Sequence, residues 1–166
     1  MAKQKTLKDF LIEELKDLYS AEKQITKVLP KMAKAATSDE LKKAFEDHLK
    51  ETENQIERLD KISKLIGKSL TGKKCKAMEG LANEGKEIIE EDMEDEVRDV
   101  ALICGAQKVE HYEMASYGCA RTYAGLLGMD DIKDLLQETL DEEGAADKKL
   151  TEIAETLNVE AMSETE

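Results

Sequence analysis

Four long stretches of this chain place apolar residues three and four positions apart, and each of these seams meets a carboxylate near its middle. The first reads Leu7, Leu11, Leu15, Leu18, Ile25, Leu29 and Met32, with Glu22 standing in the gap. The second reads Leu41, Phe45, His48, Glu51 or Thr52, Gln55, Leu59, Ile62 and Ile66. The third carries Glu110 between Gln107 and Tyr117, with Glu113 one turn on. The fourth reads Ile132, Leu136, Thr139, Glu142 or Glu143, Ala146, Leu150, Ile153 and Leu157. Such spacing lays one face of an α-helix against a core. A carboxylate on that face must leave water, at a cost of several kcal/mol per ion.

Helix formers dominate the chain, aromatics are 4%, and there is a single Pro, which argues for an all-α protein. The pattern predicts helices over about 7–36, 39–66 and 76–91, a fourth from the acidic run 90–96 to about Leu127, and a fifth from Asp130 to about Leu157. Pro30 kinks the first helix without ending it. Thr37-Ser38-Asp39-Glu40 has the form of a capping box, and Gly67 and Gly128 are stop signals. The first and last connections are short and make antiparallel hairpins. The middle connection is long and carries the short helix. This is a four-helix bundle with a crossover, the connectivity of ferritin-like folds. The bundle is expected over residues 1–158, with 159–166 (Glu160, Glu164, Glu166) an acidic, disordered tail.

Charge and processing signals narrow the setting. Lys and Arg number 25 against 38 Asp and Glu, for a net charge of −13. Such a surface repels phosphate backbones and anionic lipid, so neither nucleic acid nor membrane is an expected partner. Charges interrupt residues 1–10 before a signal peptide could form, and no stretch has the roughly 20 apolar residues of a membrane span. Three cysteines without a CxxC pattern fit a reducing, cytoplasmic location, with Cys104 and Cys119 as small apolar helix residues.

The carboxylates point to a metal. Glu22 and Glu51 stand 29 positions apart across the first hairpin, and Glu110 and Glu142 stand 32 apart across the second. A pseudo-twofold bundle brings these four to one level. A single acidic residue near a seam is ordinarily solvated, but four at matching levels would repel, and two divalent cations cancel their charge. An oxygen-rich donor set suits Fe or Mn. His48, three before Glu51, and Glu113 are candidates to complete the ligand set, with Tyr19, Gln55, Tyr117 and Glu143 in an outer layer that orients it.

Several stretches carry a family resemblance: Tyr19-Ser20-Ala21-Glu22-Lys23-Gln24, His48-Leu49-Lys50-Glu51-Thr52, Cys75-Lys76-Ala77-Met78-Glu79-Gly80-Leu81, Ala106 to Glu113, and Glu138 to Glu143. Over about residues 7–157 the chain resembles the YciE/YciF family of ferritin-like bacterial stress proteins. The resemblance implies a ferritin-like bundle, a homodimer and a role in stress response. The chain departs from larger ferritin-like families, which carry Glu-x-x-His on two helices. Asn54 follows Glu51 and Ala145 follows Glu142 at the histidine positions. His48-x-x-Glu51 and Glu110-x-x-Glu113 can replace those donors. Two functional readings stand. One is a di-metal oxidoreductase acting on peroxide, O2 or Fe(II). The other is a non-catalytic stress protein whose metal site is structural or vestigial.

Overall fold

The computed structural model describes residues 4–163, all helix and short connections among them. The helices are α1 (Leu7–Ala35), α2 (Asp39–Ile66), α3 (Lys76–Glu90), α4 (Asp95–Leu126) and α5 (Asp130–Ser163). α1 packs on α2, α2 on α5, α5 on α4 and α4 on α1, which closes a four-helix square. α3, the crossover helix, lies outside the square against α1 and α4.

Local chemistry sets the helix ends. Ser38 caps α2 by accepting from the Leu41 N–H, and Gly67 closes it in the left-handed conformation at φ 67°, where a side chain would be strained. Gly128 plays the same part after α4, at φ 68°. Thr6 and Asp9 form a reciprocal capping box at the start of α1. Pro30 sits inside α1, which continues to Ala35. One cap comes from far along the chain. Buried Asp99 of α4 accepts from the Thr37 N–H (2.8 Å) and the Ser38 N–H (2.7 Å), tying the α1–α2 turn to the second hairpin. Cys75 fixes the crossover. Its Sγ accepts from the Met78 N–H, its own N–H donates to Ser20 Oγ (2.9 Å), and its carbonyl accepts from Gln24 Nε2 (3.0 Å).

One expected helix end needs correction. α5 does not stop near Leu157 but continues to Ser163, so residues 159–163 of the expected tail are helical. Residues 164–166, with Glu164 and Glu166, lie outside the described residues. Cys104 and Cys119 lie on helix α4 and are exposed, and Cys75 is the buried thiol.

The core divides into two apolar clusters. One contains Ile25, Leu29, Leu41, Phe45, Leu102, Leu150 and Ile153. The other contains Leu11, Leu15, Leu18, Leu59, Ile62, Tyr117, Ile132 and Leu136. Along each bundle helix the passage from one cluster to the other crosses buried polar residues: Glu22 on α1, His48, Thr52 and Gln55 on α2, Glu110 and Glu113 on α4, Thr139 and Glu143 on α5. A polar layer therefore cuts the bundle across its middle.

Candidate metal centre

Four different helices aim charged groups into that layer. Ligand atoms of His48, Glu110, Glu113 and Glu143 all lie within 4.8 Å of one another. His48 Nε2 stands 3.3 Å from Glu110 Oε1 and 3.9 Å from Glu143 Oε2. Glu22 lies beside Glu113 and is fully buried, as are Glu113 and Glu143. Its Oε1 accepts from the Tyr117 hydroxyl.

Most of these polar atoms lack a good hydrogen bond. Glu22 Oε2, both nitrogens of His48, Glu110 Oε2 and both oxygens of Glu113 and of Glu143 are buried and make no well-formed hydrogen bond, facing one another instead as close acid–acid and acid–imidazole contacts. Buried polar groups are almost always satisfied, because leaving one bare costs about 1–3 kcal/mol and more when it is charged. So many bare acceptors, converging from four helices, suit a cation. The protonation balance agrees. Burial first, and then the nearby Glu143, push Glu22 up from 4.5 to about 8, against a downward pull from Tyr117. Burial likewise raises Glu110 to about 8, and holds Glu113 and Glu143 well above the usual carboxylate range. Burial alone would lower His48; the neighbouring Glu51, Glu143 and Glu22 outweigh it and raise the imidazole. Without a cation the layer therefore retains protons that a cation would displace.

The structure sorts the sequence-predicted residues. Glu22, His48, Glu110 and Glu113 converge, and Glu143, assigned from sequence to the outer layer, stands inside the cluster. Glu142 does not join it. Its carboxylate turns to the α2–α5 seam, where Oε1 pairs with Arg58 Nη2 (2.9 Å) and Oε2 accepts from Arg58 Nη1 (3.0 Å) and Gln55 Nε2 (3.1 Å). Neighbouring helical residues point about 100° apart, so only one of Glu142 and Glu143 can face the core. Glu51 is half exposed at the rim of the layer, with Oε2 3.5 Å from His48 Nδ1, and the buried seam position beside it is Thr52. There Glu51 can orient the imidazole and leave Nε2 free for a metal. Tyr117 holds Glu22 as an outer-layer residue would, and Gln55 reaches the edge of the layer. Tyr19 packs at the edge of the second apolar cluster, facing Asp60, and takes no part. Sequence reading missed Arg58, a buried cation that donates to Thr139 Oγ1 (2.7 Å), Glu138 and Glu142. Its place on the seam, three after Gln55 and one before Leu59, was the available signal.

The model of the family described as "Domain of unknown function (DUF892)" matches residues 6–163. The chain belongs to that family. Protein YciF of Escherichia coli (strain K12) is 50% identical to it over 151 residues, which is 90% of this chain and 91% of that protein. The crystal structure of the E. coli stress protein YciF superposes with a TM-score of 0.90 at 49% identity, covering 93% of this chain and 98% of that one. YcfI from Rhodopseudomonas palustris superposes with a TM-score of 0.87 at 43% identity, covering 91% and 97%. A Xanthomonas campestris protein shares the fold at 20% identity, with a TM-score of 0.77 over 96% and 99% of the two chains. No helix among the described residues is long and apolar enough to cross a membrane.

Proposed function

We propose that this member of the family is a stress protein whose polar layer binds two metal ions, iron or manganese, for redox chemistry on peroxide, O2 or Fe(II). The observation that carries the reading is the set of buried ligand atoms on His48, Glu110, Glu113 and Glu143 that make no well-formed hydrogen bond, with Glu22 beside them. Four buried carboxylates carry a formal charge that two divalent cations balance, and oxygen donors with one imidazole suit Fe or Mn better than Cu or Zn. Such a pair, when bound, supplies one electron per ion, so that peroxide with two protons yields two waters. The chain's own residues do the rest. Glu22, Glu110, Glu113 and Glu143 offer oxygen donors and His48 offers Nε2. Tyr117 fixes the Glu22 rotamer. Glu51 orients the imidazole from the rim.

A cleft of about 390 Å3 between α2 and α5 leads from the surface to His48 and Glu110, with Glu51 and Asp47 on its walls. Its rim mixes charges: Lys43 pairs with Asp47 and Lys149 with Glu40, leaving Glu51 beside His48. A specific feature also supports the second, structural reading: three after Glu143, where the larger families carry a histidine, stands Ala146. That leaves His48 as the imidazole of the cluster. Element-resolved analysis of protein purified without added metal, followed by Fe(II) and peroxide turnover, tests both. About two Fe or Mn per chain, lost in Glu113→Gln, with turnover supports the redox reading. Stoichiometric metal without turnover leaves only the structural one. An absence of metal overturns both.

A further inference from the structure

His48 and Glu110 are reached from two opposite sides of the bundle, and the two approaches differ in chemistry. On the α2–α5 side the cleft has a charged mouth, spanned by the Glu40–Lys149 ion pair at 2.6 Å. On the other side, beneath α3, lies a smaller apolar hollow of about 30 Å3, open to the surface to much the same degree as the cleft. Its walls are apolar side chains of α1, α3 and α4, among them Val28, Met78 and Val109, together with Gly85 and Gly105. His48 and Glu110 are its two polar lining residues, and both are more than nine-tenths buried with nitrogens and an oxygen that make no well-formed hydrogen bond.

That volume exceeds the roughly 10–15 Å3 that one water needs, but a water also needs two to four polar partners. The apolar walls offer none, and the two polar residues are those assigned above to a metal. The space therefore suits a small apolar molecule. Gly85 is what keeps it open. Glycine inside a helix costs about 1 kcal/mol relative to alanine, and close packing does not demand one here, since an added Cβ would meet Val28 Cγ1 at an ordinary 3.8 Å. α3 is held over the cavity by the Cys75 bonds to α1.

We propose that this cavity is a binding site for molecular oxygen, which reaches the His48–Glu110 edge from beneath α3, apart from the charged cleft. The consequence for turnover rests on the di-metal reading; occupancy by an apolar gas does not. Xenon is the probe for occupancy. Crystals of the wild-type protein under xenon pressure are expected to show the atom between Gly85, Met78 and Val109. Gly85→Leu, whose side chain fills the space, is expected to abolish that density and to slow Fe(II) oxidation by O2 at least tenfold. Fe(II) stoichiometry and the rate with peroxide should stay within twofold. Gly85→Ala, which the backbone accommodates, should give an intermediate O2 rate and guards against a folding defect in the larger variant. An empty cavity in xenon-pressurised crystals, or equal slowing with both oxidants, overturns the proposal. Xenon bound in a protein that takes up no Fe(II) would sink the metal reading and leave the gas site standing.

Discussion

The Tyr117 hydroxyl on α4 donates to Glu22 Oε1 on α1, and both side chains are fully buried. The bond opposes the burial that raises Glu22. Tyr117→Phe removes the hydroxyl that donates to Glu22 Oε1 and raises the pKa of Glu22 further. At pH 5, where Glu22 is neutral, the loss is expected to cost about 1–3 kcal/mol in urea unfolding. Mn(II) affinity, read by isothermal titration at pH 7, is expected to fall about ten- to a hundredfold. Unchanged affinity would place Glu22 outside the ligand set.

Adjacent glutamates on α5 should separate cleanly. Glu143→Gln removes a charge from inside the cluster and is expected to abolish stoichiometric metal with little loss of fold. Glu142→Gln should keep its metal but lose about 1–3 kcal/mol, since buried Arg58 gives up one of its two paired carboxylates. Glu51→Ala, at the rim, should fall between them, weakening metal about ten- to a hundredfold. Metal content from elemental analysis and melting curves on the three variants check the ordering.

Stability of the metal-free chain should fall as pH rises. Glu22 and Glu110 ionise near 4.5 when unfolded and near 8 when folded. Between those values the folded state holds protons the unfolded state has released. The contribution of these groups is therefore complete below pH 4.5 and is lost progressively towards pH 8. Melting with a chelator present is expected to give a lower Tm at pH 8 than at pH 5.5, and Mn(II) should restore it at pH 8. Metal uptake displaces the same protons, so affinity rises with pH over that window. Equal chelated Tm values at both pH values would contradict the assignment.

Asp99→Ala tests the long-range cap. Losing two charge-assisted bonds to the Thr37 and Ser38 N–H groups is expected to cost about 3 kcal/mol in urea unfolding.

The helices were legible because each bundle seam runs without a break. α1 buries Leu11, Leu15, Leu18, Glu22, Ile25, Leu29 and Met32, and α2 buries Leu41, Phe45, His48, Thr52, Gln55, Leu59 and Ile62. The same regularity decides which acid faces inward. A strict alternation of four and three selects Thr52 over Glu51, and spacing from Leu136 through Thr139 selects Glu143 over Glu142. Matching the two hairpins by the distance between their carboxylates put Glu51 and Glu142 one step off that frame. The Asp99 cap and the Arg58 cluster lay beyond local pattern, because their partners are 62 and 80 or more positions away. The extension of α5 past Leu157 has no apolar periodicity to announce it.

Arg58 stitches α2 to α5 on one side of the buried charges with a tight group of bonds to Thr139, Glu138 and Glu142. On the other side of them the rim of the cleft is spanned by the Glu40–Lys149 surface pair, and exposed pairs of that kind contribute little, typically under about 1 kcal/mol. The polar bonding of this seam is therefore lopsided, like a book held along one spine. Beyond Glu143 the burial of Leu150 and Ile153 in the apolar core, rather than polar bonds across the α2–α5 seam, keeps α5 in place.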